Sequence, residues 1–265
     1  MYVSSDDAKI YYETTGTGFP MVLLHPFPVH HQFWNPVVRK LSAHYQVVLP
    51  DLRAHGRSET GSGIASMRRH ANDLLRLLDA LNIQKAVFVG VSIGGYILFE
   101  LWRQFRERVA ALALSNTRAE ADTEQGRGNR LKSIADARVH GTSPFFDAQI
   151  QHLIGDTTRA NRPDLVAGAR AMMTMDVDRL EAAQHGLAER PDSVATLRSI
   201  NVKTLVIAGE EDTLTPLAHA QLMHAHIPQS KLAVIPRAGH YAAWERPEEF
   251  LRVLKPFLED VRSIV

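Results

Sequence analysis

Short apolar runs recur along the chain and are separated by longer polar or amphipathic stretches. The runs cover residues 21–24, 46–49, 86–89, 111–114, 202–208 and 232–235. A short apolar run without alternation is typical of a strand that is buried on both faces of a sheet. These runs therefore predict the strands of one buried sheet, and residues 8–14 predict a further strand before them.

Several of the intervening segments have the periodicity of amphipathic helices. Residues 66–81 are the clearest case, because leucines recur there at spacings of three and four residues, at Leu74, Leu77, Leu78 and Leu81. Further helices are predicted over residues 33–41, 96–105 and 247–258. Strands that alternate with helices predict an α/β fold, with a mostly parallel, twisted sheet and helices on both faces. Ligands of such sheets bind beyond the carboxyl ends of the strands.

The character of the sequence changes between residues 118 and 199. This segment is rich in Ala, Arg, Asp and Glu, contains no convincing strand, and has Pro163 and Pro191 at predicted helix starts. We interpret residues 118–199 as a helical cap, or lid. The cap is inserted into an α/β core formed by residues 1–117 and 200–265.

Composition excludes several classes of function. The 265 residues include 30 Lys and Arg and 29 Asp and Glu, so no basic excess indicates binding to nucleic acid or to an anionic membrane. The absence of cysteine excludes disulfides, thiolate metal ligands and cysteine nucleophiles. The first residues do not resemble a secretory signal, and no apolar run approaches the ~20 residues of a membrane span. We therefore expect a soluble, cytoplasmic protein.

A serine follows the predicted strand 86–89 directly before a predicted helix. Ser92 stands between Gly90 and Gly94 in a Gly-x-Ser-x-Gly sequence. This pattern is typical of a nucleophile elbow, a sharp strand-to-helix turn on which the serine backbone is strained. Side chains two residues before and after the serine would collide there, which favours glycine at both positions.

Two other predicted strands end close to residues that could activate a serine. Asp212 follows strand 202–208, and His240 follows strand 232–235. A serine hydroxyl needs an imidazole to accept its proton and a carboxylate to orient that imidazole. The chain order Ser92, Asp212, His240 is the order found in α/β-hydrolases.

On these residues the chain resembles the α/β-hydrolase superfamily over nearly its whole length. The resemblance is densest at residues 25–28, 51–58, 90–94, 209–216, and 239–240. Within the superfamily the chain is most similar to the small bacterial esterases, cofactor-free haloperoxidases and 3-oxoadipate enol-lactonases, a likeness to which residues 190–193 add. The resemblance implies an α/β-hydrolase fold with a catalytic triad and a cap domain.

The resemblance also implies a role for each candidate residue. Ser92 is expected to be the nucleophile, His240 the general base and Asp212 the acid that orients the base. Asp212 is preferred to Glu210 and Glu211 because the family places the acid three residues after the strand-end glycine and before a Thr-Pro pair. Some relatives place the acid after the strand that follows the elbow helix, but Asn116 and Thr117 stand there, without a carboxylate.

Two backbone N–H groups are expected to form an oxyanion hole, which stabilises the anion formed during acyl transfer. The resemblance assigns them to Ile93, at the start of the elbow helix, and to Phe27. The family usually has His-Gly in the second loop, whereas this chain has His25-Pro26. Proline has no N–H, but the donor position is the next residue, so we expect a stiffer loop with the hole retained.

A serine at position 92 indicates a carbonyl electrophile. Relatives that attack a tetrahedral carbon use Asp there, because serine would leave an ether that water cannot cleave. We therefore expect a carboxylesterase or lactonase that forms an acyl-enzyme on Ser92 and acts on a small-molecule ester or lactone. No cofactor and no metal site are expected. The open alternatives are haloperoxidase-type acyl transfer to peroxide, a lyase, a cofactor-independent oxygenase and a ligand-binding protein; the oligomeric state stays undetermined.

Overall fold

An eight-stranded sheet forms the centre of the computed structural model, which describes residues 1–262. Its strands are β1 (Tyr2–Ser5), β2 (Ala8–Thr15), β3 (Phe19–Leu24), β4 (Tyr45–Pro50), β5 (Ala86–Val91), β6 (Val109–Ser115), β7 (Thr204–Gly209) and β8 (Ser230–Ile235). Their spatial order is β1-β2-β4-β3-β5-β6-β7-β8. The pairs β1–β2 and β2–β4 are antiparallel and all others are parallel. The predicted mostly parallel sheet is therefore confirmed.

Helices cover both faces of the sheet. They are α1 (Asn35–Leu41), α2 (Met67–Ala80), α3 (Ile93–Phe105), α4 (Glu124–His140), α5 (Ser143–Leu153), α6 (Asp156–Asn161), α7 (Pro163–Ala171), α8 (Val177–Ala188), α9 (Val194–Leu197), α10 (Leu217–His226), α11 (Ala242–Glu245) and α12 (Pro247–Arg262). The best sequence-predicted helix is α2, which begins after Ser66, whose hydroxyl caps it by accepting from the Arg69 N–H. Within residues 1–262, no helix is both long and apolar enough to cross a membrane.

The sheet separates two apolar cores, which explains the unbroken apolar runs. In β5, Val87 and Val89 lie in one core and Phe88 lies in the other. Successive side chains of a strand point to opposite faces, so a strand covered on both faces needs apolar residues at every position. The core with Phe88 also contains α2 and α3, and the core with Val87 contains α1 and α12.

A helical insertion separates β6 from β7, as the sequence predicted. It contains α4 to α9, and no strand lies between residues 118 and 199. The domain boundaries at those two residues stay a prediction. Pro163 begins α7, but the prediction that Pro191 begins a helix was wrong. Helix α9 starts only at Val194, whose N–H donates a hydrogen bond to the Asp192 side chain at 2.9 Å.

Three histidines lie in the interior of the protein. His25, His55 and His70 are almost fully buried. Burial disfavours the imidazolium form and lowers the pKa of His25 to about 3 and that of His55 to about 4. The pKa of His70 is also lowered well below its usual value, first by burial and then by the neighbouring His55. Neither ring nitrogen of His70 has a hydrogen-bond partner within the described chain.

These histidines predict a loss of stability in mild acid. A histidine that is buried in its neutral form takes up a proton only when the protein unfolds. Above the unfolded pKa of 6.5 it therefore does not lower the free energy of unfolding, and it lowers that free energy progressively as the pH falls below 6.5. Each such residue should cost about 2 kcal/mol at pH ~5. Replacing His70 by Leu removes one of them, so the decrease in unfolding free energy between pH ~8 and ~5 should shrink by about that amount.

The measurement is urea unfolding of both proteins at the two pH values. The exposed His140, at the end of α4, replaced by Leu is the matched control and should leave the pH dependence unchanged. A pH dependence in His70→Leu equal to that of the wild type would contradict the account.

Candidate active site

Ser92 lies on a sharp turn between β5 and α3, in a backbone conformation that few residues adopt. Its φ is 54° and its ψ is −113°. A Cβ at Gly90 would lie 2.6 Å from the backbone carbon of Gly94, and one at Gly94 would lie 2.9 Å from Leu24. Glycine is therefore required on both sides of the serine, because the end of β3 and the first turn of α3 leave no space for a side chain.

The end of β6 holds this turn in place. The Ser92 N–H donates to the Ser115 carbonyl at 3.0 Å, and the Thr117 hydroxyl donates to the Ser92 carbonyl at 2.8 Å. A Cβ at Gly95 would lie 2.4 Å from the Thr117 hydroxyl oxygen. The turn is thus fixed from the neighbouring strand as well as by its own glycines.

The two other predicted triad residues are hydrogen-bonded to each other. His240 Nδ1 lies 2.8 Å from Asp212 Oδ2, and both side chains are buried. Asp212 also accepts from the Asn116 amide at 3.0 Å, from the Thr215 hydroxyl at 2.6 Å and from the Leu214 N–H at 2.9 Å. Burial opposes ionisation of Asp212, but His240 and these donors outweigh it and hold the pKa of the carboxyl below its usual range.

The rival carboxylates in the same loop have other partners. Glu210 accepts from the Arg237 N–H at 2.9 Å, whereas Glu211 accepts from the Thr157 N–H at 2.8 Å and from its hydroxyl. Of these three carboxylates, only Asp212 is bonded to His240 in the described part of the chain. Asp212 therefore stays the candidate acid, and Glu210 and Glu211 have structural partners.

Asn116 is a site residue that sequence reasoning missed. It follows β6, takes a positive φ of 47°, and its amide contacts both the Asp212 carboxylate and the Gly239 carbonyl, at 3.0 and 3.1 Å. Its position at a strand end was a usable signal. Asn116 was missed because a carboxylate alone was expected at that position, whereas its amide binds the carboxylate of Asp212.

Phe27 and Ile93, the predicted oxyanion-hole residues, occupy the two loops beside Ser92. Ile93 is the first residue of α3, and Phe27 lies in the loop after β3, where the Tyr241 hydroxyl donates to its carbonyl at 2.9 Å. Neither backbone N–H donates a hydrogen bond to another residue of the described range 1–262. Both donors are therefore free to bind a ligand oxygen.

His25 supports the Phe27 loop from within. Its Nε2 accepts from the Leu52 N–H at 2.9 Å, so Nδ1 carries the proton and donates to the Pro26 carbonyl, also at 2.9 Å. The imidazole stays neutral because burial lowers its pKa. The loop is thus tied to the segment that follows β4, and the stiffening effect of Pro26 stays a prediction.

Ser92 and His240 line one cavity of about 470 Å³, together with Phe27. Its apolar wall comes from both the sheet loops and the insertion, at Tyr96, Phe145, Leu153, Leu187 and Leu214. Its polar wall lies mainly along α4 and the segment before it. A cavity of this size accommodates a small organic ligand.

A buried glutamate joins the insertion to the loop that carries His240. Glu245 accepts from the Gly239 N–H and from the Gly155 N–H, each at 3.0 Å, and burial raises the pKa of its carboxyl. A Cβ at Gly239 would lie 2.2 Å from the Gly155 nitrogen. The Tyr241 N–H also donates to the Leu153 carbonyl at 3.1 Å. The cap and the His240 loop are therefore in direct backbone contact.

One group of three side chains in the described chain could ligate a metal, namely His30, His31 and Asp51. Asp51 already accepts from the His31 N–H at 2.8 Å, from His31 Nδ1 at 2.6 Å and from the Arg57 N–H at 2.8 Å. These bonds fix the turn of residues 51–58 to the loop that carries His31. The group does not line the cavity that contains Ser92.

Comparison with known proteins places this arrangement among hydrolases. The family model described as alpha/beta hydrolase fold matches residues 20–247. The curated 3-oxoadipate enol-lactonase 1 of Acinetobacter baylyi is 28% identical over 88% of this chain and 85% of its own length. A malate-bound thermophilic esterase from Thermogutta terrifontis is 33% identical, with a TM-score of 0.95 and 98% of both chains covered. The enol-lactonase of Burkholderia xenovorans LB400 is 25% identical, with a TM-score of 0.91, covering 98% of this chain and 100% of its own.

The elbow geometry predicts that Gly90 does not tolerate a side chain. Gly90→Ala would place a methyl group against the Gly94 backbone, so we expect an unfolding free energy lower by about 3 kcal/mol. Gly128→Ala is the matched control, because nothing lies within 4 Å of its Cβ position in α4. It should be neutral or stabilising by up to about 1 kcal/mol. Urea unfolding measures both, and equal stability of the two variants would contradict the account.

Proposed function

The chain belongs to the α/β-hydrolase fold family, and from that membership we propose that it is a serine hydrolase that cleaves carboxylic esters or lactones through an acyl-enzyme on Ser92. One observation carries this proposal. Ser92, held on its strained turn, lines the same cavity as His240, whose Nδ1 lies 2.8 Å from a buried carboxylate. The relatives named as enol-lactonases and as an esterase support the substrate class.

Acylation begins when Ser92 Oγ attacks the carbonyl carbon of the substrate. His240 Nε2 accepts the serine proton. Nδ1 keeps its own proton and donates a hydrogen bond to Asp212, an ionised carboxylate that can only accept. The carbonyl oxygen becomes an oxyanion, which accepts hydrogen bonds from the free N–H groups of Phe27 and Ile93.

The tetrahedral intermediate then collapses and the carbon–oxygen bond of the ester breaks. His240 donates its newly acquired proton to the leaving oxygen, so an alcohol departs and the acyl group stays on Ser92. With a lactone the ring opens and the new hydroxyl group remains attached to the acyl chain. His240 next takes a proton from water, which attacks the acyl-enzyme, and the carboxylic acid leaves as Ser92 recovers its proton.

Asp212 and its donors supply the electrostatic support for both steps. His240 becomes an imidazolium in each transition state, and the ionised carboxylate at 2.8 Å stabilises that charge. Asn116, Thr215 and Leu214 keep the carboxylate ionised and fixed by their hydrogen bonds. Asn116 therefore acts on the reaction through Asp212 as a positioning residue.

The proposal predicts turnover of simple esters that depends on Ser92. Purified protein is assayed with p-nitrophenyl acetate and butyrate and with γ- and δ-lactones, beside Ser92→Ala. We expect kcat/KM to fall by at least about a thousandfold in the variant, because the nucleophile is lost while the fold remains. Ser143→Ala, an exposed position at the start of α5, is the control and should keep wild-type activity.

The outcome also separates the alternatives. A lyase, an oxygenase or a ligand-binding protein on this fold would show no ester or lactone turnover, or turnover that survives in Ser92→Ala, and either result would refute the proposal. Perhydrolysis would use the same acyl-enzyme with hydrogen peroxide in place of water, so it would appear as peracid formation when peroxide is added.

A further inference from the structure

The cap side of the cavity carries a group of charges that the proposed acyl transfer does not use. Arg118, Arg130 and Arg190 converge on Asp122, and we call these three the arginine cluster. Their nitrogens lie 2.7, 2.5 and 2.7 Å from the Asp122 oxygens, respectively. Arg118, Arg130 and Asp122 line the same cavity as Ser92.

The arginine cluster contains more positive charge than its carboxylate can neutralise. Burial opposes ionisation of Asp122, but the hydrogen bonds from Arg190 and Arg130 outweigh it and lower its pKa to about 2, so it contributes one negative charge. Glu120 and Glu124 are the carboxylates two positions from Asp122, and neither forms an ion pair with the cluster in the described chain; Glu120 bonds instead to His219 Nδ1 at 2.9 Å. The cluster therefore keeps two positive charges that no carboxylate pairs with.

The other lining ammonium does not change this balance. Lys132 pairs with Asp136 at 2.7 Å, and both belong to the exposed part of the cavity wall. Their charges cancel each other. The surplus is thus confined to the arginine cluster.

Arg118 and Arg130 differ from Arg190 in what their guanidinium groups can still bind. Arg190 donates to the Leu187 and Glu120 carbonyls and lies 4.4 Å from the centre of the Tyr96 ring, outside the lining of the cavity. Arg118, by contrast, is bonded only through Nη2 to Asp122, and its buried Nε has no partner in the described chain.

Arg130 is the second guanidinium at the cavity wall. Its Nε is bonded to Asp122, and its Nη1 donates to Gln184 Oε1 at 2.8 Å. Gln184 also lines the cavity, so it orients Arg130 at the wall. Asp122 thus holds one edge of each guanidinium group, and Gln184 holds a second donor of Arg130. Other donors of Arg118 remain for a ligand.

We propose that Arg118 and Arg130 form an anion subsite that binds a carboxylate or phosphate group on the substrate, away from the scissile carbonyl. Guanidinium groups match the planar, two-oxygen face of such anions. Arg118 lines the cavity and uses only Nη2 to bind Asp122, so its other donors are available to such an anion. This inference rests on the proposed function and specifies its substrate class: esters or lactones that carry an anionic group.

The anion takes no part in bond breaking, so the subsite should act on binding. An interaction that is equal in the ground state and the transition state lowers KM and leaves kcat unchanged. Two charge-assisted hydrogen bonds should favour the anionic substrate at least about tenfold in kcat/KM. The preference should decrease with added salt, since the side chains of Arg118 and Arg130 are partly exposed to solvent.

The test compares p-nitrophenyl esters whose acyl chains end in a carboxylate, a phosphate or a primary carboxamide, over a series of chain lengths. The carboxamide is the uncharged isostere of the carboxylate. A parallel series places the same groups on the alcohol. For wild-type protein we expect a ratio of anionic to carboxamide kcat/KM of about ten or more at one chain length, carried by KM; the preferred anion identifies the carboxylate or the phosphate.

Variants assign the preference to the arginine cluster. Arg118→Met should bring the ratio close to one, and Arg118→Lys should retain part of it. Because the ratio is internal to each protein, a general loss of activity does not obscure it. Arg138→Met is the matched control, because Arg138 lies on α4 with Arg130 but pairs with Glu181 outside the cavity, and it should keep the wild-type ratio.

Two outcomes would overturn the subsite while leaving the proposed function intact: equal turnover of anionic and carboxamide esters by the wild type, or a preference that persists in Arg118→Met. Failure to hydrolyse any ester of the series, neutral ones included, would instead refute the proposed function itself.

Discussion

The close approach of backbone segments around Ser92 is the constraint on which the rest of the site depends. The end of β3, the end of β5 and the first turn of α3 meet so tightly that Gly90 and Gly94 cannot carry a side chain. The same close approach requires Ser92 to adopt a strained backbone conformation with a φ of 54°. Since β3, β5, β6, β7 and β8 run parallel in one sheet, their carboxyl ends bring Phe27, Asp212 and His240 to the same edge.

The insertion and the sheet supply different parts of the candidate site. The loops of the sheet hold Ser92, His240 and Asp212, whereas the insertion closes the cavity and supplies its charged wall. Glu245 and Glu211 bind the backbone of Gly155 and Thr157, so the start of α6 is fixed against the loops that carry His240 and Asp212. The cap and the loop that carries His240 are therefore held in one position relative to each other.

The sequence predicted those parts of the molecule that follow local rules. The apolar runs predicted β3 to β7 because these strands are largely buried on both faces, and a shorter run predicted β8, which is only partly buried. The Gly-x-Ser-x-Gly pattern predicted the elbow because its glycines act within a few residues. Strand β1 was missed, since its side chains are mostly exposed and form no apolar run.

Asn116 and Glu245 were missed because their partners Asp212 and Gly155 lie 96 and 90 positions away. Helix α10 was missed because only Ala220 and Met223 on it are buried.

Labelling by a fluorophosphonate tests the central claim most directly, because such a probe reacts with a serine only when a neighbouring base activates it. The account predicts a single phosphonyl adduct by intact mass, located by peptide mapping at Ser92, with labelling slowed strongly in His240→Ala and absent in Ser92→Ala. Wild-type protein that remains unlabelled, or an adduct that persists in Ser92→Ala, would contradict the account, because Ser92 would then not be the activated nucleophile.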